Sequence, residues 1–109
     1  VPYPKLLAWR DRMAAIGHGT RTDIDADRAL AEARDAEPAT PHPSQPQEGD
    51  PQPGERARVR PADNAKDWVE GEVLFIDAWE IALLRRDPTV GTVAVHFPRL
   101  GYDWRRVRL

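Results

Sequence analysis

Two glutamates, Glu70 and Glu72, have the spacing of paired carboxylates that could act as general acid and base. With one residue between them, both project from the same face of a β-strand. The same spacing is typical of the solvated face of a strand, opposite arginines such as Arg56 and Arg58. We favour this second interpretation, and we predict no catalytic residue.

Residues for metal binding or nucleophilic catalysis are few. The three histidines, His18, His42 and His96, fall in a loop, a proline-rich segment and a strand, without the spacing of metal ligands. The single serine, Ser44, lies in the proline-rich segment, which argues against a serine triad, and there is no cysteine. We therefore expect this chain to hold no metal and no cofactor, and we expect His96 to be a half-exposed strand residue.

Aromatic residues are the candidates for partner binding, because small β-domains contact peptides or nucleic acids through rings near their loops. The four that flank the apolar runs of the C-terminal half are Trp68, Trp79, Tyr102 and Trp104. The competing interpretation is that these rings plug the open ends of a small barrel. We favour the second, since aromatic side chains dominate burial in small domains.

The C-terminal end of the chain is basic, with arginines at 105, 106 and 108. They could form an electrostatic patch, but we favour charges that protect an edge strand from aggregation. The net charge of the whole chain is −2, and this disfavours a nucleic-acid-binding function, which requires a basic excess.

Short runs with the two-residue period of half-buried strands must position these residues. The runs cover 56–60, 69–76, 81–83 and 93–97, with a fifth candidate at 104–109. In the second run we expect Val69, Gly71, Val73 and Phe75 to share one face. Turn-forming clusters separate the runs. The pattern predicts a closed or nearly closed, five-stranded antiparallel barrel of SH3-like size.

A first helix is predicted between Pro4, which suits a first turn, and Gly17, which suits a C-terminal cap. Its apolar residues recur at spacings of three and four and form a stripe, the candidate helix interface: Leu6, Trp9, Met13 and Ile16. Short helices are marginal alone. We therefore expect residues 4–16 to pack on the barrel, on a second copy as a homodimer, or on a missing N-terminal part of a longer protein, and we favour the last.

A second short helix is predicted after Thr22, whose spacing to Asp25 resembles a capping box. It should end near Ala36, because Pro38 disfavours helical backbone just before it. The overall fold class is thus α+β, with two helices ahead of the β unit.

Between helices and strands, five prolines stand among polar residues with no hydrophobic period. We predict a poorly ordered linker over 39–54 that makes few contacts. It divides the chain into a helical part, 1–38, and a barrel, 55–109. No run of apolar residues approaches the roughly 20 of a membrane span. The absence of a signal peptide and of cysteine suits the cytoplasm, and the missing initial methionine suggests part of a longer protein.

Residues 3–19 resemble a late helix of the all-α C-terminal domain of bacterial glutathione S-transferases (GSTs). The family pattern is Tyr or Phe before Pro, then an aliphatic residue, then Trp and Arg, and Tyr3, Pro4, Trp9 and Arg10 follow it. Residues 25–38 resemble the short helix that comes next. The β unit, with its Val-Glu-Gly-Glu at 69–72 and the stretch 95–102, is similar to a C-terminal module appended to some of these proteins.

The resemblance implies no catalytic residue for this chain. In the family, the catalytic residue and nearly all glutathione contacts belong to a thioredoxin-like N-terminal domain that this sequence lacks. Glutathione would therefore be a cofactor of the longer protein only.

Three functions stay open at this point. The first is a non-catalytic accessory module for packing, oligomerisation or partner binding in a GST-like protein. The second is a barrel that helps to complete a transferase active site. The third is a peptide or nucleic-acid reader that uses the aromatic loops.

Overall fold

The first helix, α1, spans Pro4–Ile16 in the computed structural model, which describes residues 2–65 and 67–108. Pro4 stands in its first turn, as predicted. Gly17 ends it with a φ of 72°, and its N–H donates to the Ala14 carbonyl at 3.1 Å. A side chain at this positive φ would strain the backbone, so glycine suits the cap.

The second helix, α2, spans Ala26–Asp35. Its N-cap is Asp25, whose carboxylate accepts a hydrogen bond from the Arg28 N–H at 2.8 Å. The predicted capping box at Thr22 is therefore wrong: Asp25 is the cap itself rather than its partner, since its own backbone is extended and its side chain satisfies the first turn. The helix ends where Ala36 turns extended, two residues before Pro38, close to the predicted position.

Within the part of the chain that the structure describes, five antiparallel strands follow, which confirms the α+β class. They are β1 Arg56–Pro61, β2 Val69–Ile76, β3 Glu80–Asp87, β4 Gly91–Pro98 and β5 Tyr102–Arg106. The last strand begins two residues before its predicted start and ends at Arg106; the terminal Leu109 of that prediction lies outside the described residues.

The sheet is open, so the closed alternative of the predicted barrel is wrong. Its strand order is β4-β3-β2-β1-β5, and the outer strands β4 and β5 each pair with one neighbour. Closure would require β4 and β5 to pair with each other. Instead β5 is only five residues long, and it pairs with β1 along its whole length.

One face of the sheet holds the apolar core. Its buried members come from β1, β2 and β3 and are Ala57, Val59, Val73, Ile76, Ile81 and Leu83. The partly buried rings of Phe97, Tyr102 and Trp104 pack against them. Gly71 is required by close approach, because a Cβ there would collide with the carbonyl oxygen of Leu84 on β3.

A β-bulge between Val73 and Phe75 changes the face of the residues that follow. Val73 lies opposite Leu83, whereas Phe75 lies opposite the adjacent residue Ala82. The prediction that Phe75 shares a face with Val73 is therefore wrong, since the extra residue shifts the two-residue alternation. Phe75 is buried on the other face, where the His42 ring lies 6.1 Å from its own.

Residues 41–55, which we call the strap, pack on the sheet, and the predicted poorly ordered linker with few contacts is wrong. Strand β2 pairs with β1 only over residues 69–72. From Val73 onward, the same edge of β2 forms hydrogen bonds with the strap. The Ile76 N–H donates to Ser44 Oγ at 3.1 Å, and the Gly54 N–H donates to the Val73 carbonyl at 2.8 Å. Asp50 and Pro51 are buried. Proline-rich composition favours extended backbone, and here that backbone finds hydrogen-bonding partners.

Candidate interaction site

A face of exposed apolar side chains runs along α1. The exposed fractions are 56% for Leu6, 51% for Trp9, 45% for Met13 and 74% for Ile16. Their spacing places them on one side of a helix with 3.6 residues per turn. We call these four residues the α1 face.

The sheet does not cover the α1 face. No residue of α1 is buried, so the alternative in which the stripe packs on the barrel, which was not the favoured one, is wrong. The physical reason is that the apolar core of the sheet is already packed by aromatic rings, and the free edge of β2 is already hydrogen-bonded to the strap. Packing on a second copy or on another part of a longer protein stays a prediction. The radius of gyration of 19.5 Å also exceeds the value of about 13 Å expected for a compact chain of this size.

Helix α2, in contrast, is anchored to β4. Arg34 donates from Nε to the Thr89 carbonyl at 3.4 Å. Ala33 and Pro38 line a hollow together with Val93 and Ala94 of β4. The two helices thus differ, because α2 has a partner within the chain and α1 has a bare apolar face.

The four predicted aromatic residues lie in three different places. Tyr102 and Trp104 pack against the core from β5, and the Tyr102 ring lies 5.6 Å from that of Phe97. Trp79 is 81% exposed in the turn between β2 and β3. Trp68 precedes β2, where two guanidinium groups hold it. The structure therefore does not assemble these rings into one site, and their role in partner binding stays a prediction.

Trp68 makes cation–π contacts within the chain. The guanidinium carbon of Arg58 lies 4.6 Å from its ring centroid, and that of Arg60 lies 4.4 Å away. Both arginines belong to β1, whose side chains alternate so that residues 58 and 60 share one face. The ring therefore fixes two cations on the face of the sheet opposite the core.

The turn that carries Trp79 is braced by several hydrogen bonds. Asp77 accepts from the N–H groups of Trp79 at 2.7 Å and of Glu80 at 2.9 Å. The Arg99 N–H donates to the Trp79 carbonyl at 2.8 Å. The Trp79 backbone is therefore fixed although its ring is exposed.

A partly buried ion pair between Asp50 and Arg99 fastens the strap to the end of β4, and no sequence signal pointed to it. Arg99 donates from Nη2 to Asp50 Oδ1 at 2.8 Å and from Nη1 to Oδ2 at 3.0 Å. The carboxylate also accepts the Gln47 N–H. These hydrogen bonds, above all those from Arg99, lower the pKa of Asp50 despite the opposing effect of burial.

The paired carboxylates of β2 form a charged strand face. Glu70 Oε1 lies 3.1 Å from Nη2 of Arg56, which is a diagonal neighbour on β1, since the register places Arg58 opposite Glu70 and Arg56 opposite the exposed Glu72. A cleft of about 580 Å³ beside them is lined by Trp68 and by charged residues of both signs, including Arg85 and Arg86. Its lining suits a solvated surface better than an enclosed site for acid–base chemistry.

Histidines take part in isolated contacts. His96 is exposed on β4, and its Nδ1 lies 2.8 Å from Glu80 Oε1. Within residues 2–65 and 67–108, no group of three or more histidine, cysteine, aspartate or glutamate side chains could hold a metal ion. Among the same residues, neither helix has the length and apolar character needed to cross a membrane.

The chain is similar to a GST-like protein from Pseudomonas syringae of known crystal structure. The TM-score is 0.85 and the sequence identity 34%, over 96% of this chain. The match covers 38% of the Pseudomonas protein, so this chain spans well under half of its length. No protein-family model and no curated protein sequence matches the chain. The similarity supports a relation to GST-like proteins, in line with the resemblance of residues 3–19.

Proposed function

We propose that this chain is a non-catalytic accessory module of a GST-like protein, in which the α1 face packs against helices of that protein's all-α domain. The observation that carries the proposal is the contrast between a sheet with its own core and an α1 face that is about half exposed or more. Burial of an apolar side chain of this size gains about 1.5–3 kcal/mol. Four such residues on one face can therefore hold the module in place.

The chemistry of the described residues supports a structural role over a catalytic one. The β2 carboxylates form a strand face with Arg56, and Trp68 is engaged by two arginines. We further propose that the sheet is an incompletely closed SH3-like barrel, since its strands follow one another as a meander, with β5 returning beside β1. A cysteine-free chain suits the cytoplasm, where we place the protein.

The test of the accessory role is deletion of residues 39–109 from the longer protein. We expect the rate of glutathione conjugation to stay unchanged, because the catalytic residues of the family belong to another domain. A lower rate with an intact fold would instead favour a sheet that completes the active site.

The test of the α1 face compares two double variants of equal charge change. Trp9→Glu with Met13→Glu places carboxylates on the α1 face, whereas Ala8→Glu with Ala15→Glu places them more than 100° away around the helix. In the longer protein, only the first should release the helix and lower the melting temperature. In this chain alone, light scattering should show weak concentration-dependent association that only the first variant abolishes.

A further inference from the structure

Strand β5 presents an unpaired backbone edge. Its inner edge pairs with β1, and the Val107 N–H continues that ladder by donating to the Arg56 carbonyl at 3.0 Å. Because backbone groups alternate in an antiparallel strand, those of Trp104 and Arg106 point away from β1. Among residues 2–65 and 67–108, no strand lies beyond β5. The edge can therefore accept one more strand.

Two arginines lie directly opposite each other beside this edge. Arg105 of β5 is the register partner of Arg58 of β1, so their side chains share the outer face of the sheet. Like charges in this position destabilise a strand pair. Neighbouring β1 arginines have carboxylate partners: Arg56 lies 3.1 Å from Glu70, and Arg60 lies 4.0 Å from Asp103.

Within the described residues, neither Arg58 nor Arg105 forms an ion pair. Nε of Arg58 is buried without a hydrogen-bond partner in the same part of the chain. Arg58 cannot simply swing into solvent without losing its contact with the Trp68 ring. Arg58 is therefore a fixed cation opposite the exposed Arg105, and an anion bound beside Arg105 would offset the repulsion between the two arginines.

We propose that the open edge of β5 binds an extended acidic peptide segment as a sixth strand, with a glutamate directly opposite Arg105. Neighbouring strands lie about 4.8 Å apart, a distance that long glutamate and arginine side chains span. Main-chain hydrogen bonds supply affinity in this mode of recognition, and alternate side chains supply specificity. This site is separate from the α1 face and does not depend on its proposed function.

Charge decides which partner fits the edge. A second β5 paired in the register centred on Arg105 would place the two Arg105 side chains opposite each other, so the arginines disfavour that register. A nucleic acid would find a chain of net charge −2 and a Trp68 ring already in contact with two guanidinium groups. An acidic strand matches both the unpaired backbone of β5 and the exposed Arg105.

The test uses the complete chain and a blocked, fluorescein-labelled peptide of four Glu-Val repeats, with binding measured by anisotropy. Arg105 is exposed, so Arg105→Glu should fold, and we expect it to weaken binding about tenfold or more. Arg86→Glu is the matched control, because Arg86 is an exposed arginine of β3, remote from β5 in the sheet order. Its affinity should change less than about twofold. Arg105→Lys should restore most of the binding.

A second peptide, with proline in place of each valine, keeps the charge but cannot donate those backbone hydrogen bonds. We expect it to bind at least about tenfold more weakly, and we expect the valine peptide to slow amide exchange at Trp104 and Arg106. Equal binding of the two peptides, equal losses in the Arg105 and Arg86 variants, or no binding at about 1 mM would each overturn the proposal. Tighter binding of an oligo-dT strand than of the peptide would also overturn it.

Discussion

The apolar residues of the sheet are buried, whereas those of helix α1 are exposed. In the sheet, residues from three strands are almost completely buried, with Ile76, Ala82 and Leu83 at 0% exposure. In α1, the most protected member of its apolar face, Met13, is still 45% exposed. Both elements follow the periodicity of their own secondary structure. The difference is that the apolar residues of the sheet are covered within the chain, whereas no residue of α1 is buried.

The strap belongs with the sheet in this comparison. It bonds to β2 on both sides of the bulge and buries Asp50 and Pro51. We therefore infer that the self-sufficient unit begins near residue 41, within the segment predicted as a linker.

Val73→Asp should unfold the sheet. Val73 is 1% exposed in the core, and a carboxylate there would have no partner. The cost should exceed about 3 kcal/mol, a large share of the stability of so small a domain. Its neighbour provides the control: Glu72→Ala on the exposed face should change the free energy of unfolding by less than about 0.5 kcal/mol. Circular dichroism during urea unfolding measures both, and similar losses would contradict the observed register.

The contrast also shows where sequence patterns suffice. Strand β2 was predicted with its observed bounds, since alternation is strong there and turn residues flank it. The face of Phe75 was predicted wrongly, because a bulge inserts a residue without leaving a clear mark in the sequence. The ion pair between Asp50 and Arg99 joins residues 49 positions apart, and no local pattern encodes such a contact. The prediction of a poorly ordered linker over 39–54 rested on composition alone, which does not show whether an extended segment packs on a sheet.

Truncation should distinguish the contribution of the strap to stability from that of the helices. A chain that starts at residue 39 should keep the stability of the complete chain within about 1 kcal/mol. A chain that starts at residue 55 lacks the buried Asp50 and Pro51 and leaves Arg99 without its carboxylate, so it should lose at least about 3 kcal/mol. Urea unfolding of both compares them directly. Equal midpoints would mean that the strap only rests on the sheet.

Asp50→Asn tests the strap through its main ion pair. The amide cannot neutralise Arg99, which is partly exposed to water, so we expect a loss of about 2 kcal/mol at neutral pH. Asp103→Asn is the control on an exposed pair, and it should cost less than about 0.5 kcal/mol.

The pH dependence of this variant has a defined sign. The pKa of Asp50 is lowered in the folded state, so its contribution to stability is present above the ordinary value of 3.8 and disappears as pH falls through the lower folded pKa. Asp50→Asn should therefore flatten the acid limb of stability below pH 3.8. An unchanged acid limb in thermal melts would show that other carboxylates control it.

The smallest effect is expected in α1 and is the sharpest test of the contrast. Trp9→Glu with Met13→Glu replaces two large apolar residues by charges, a change that would destroy any core. Both side chains are about half exposed, so little apolar burial is lost in this chain. We expect the cooperative unfolding of the sheet to shift by less than about 0.5 kcal/mol, with only the helical signal of α1 altered. Near-ultraviolet circular dichroism should keep the signals of Tyr102 and Trp104, which pack against the core. A shift of the sheet transition comparable to that of Asp50→Asn would mean that α1 shares the cooperative unit, and the sheet and helix would then differ in exposure but not in stability.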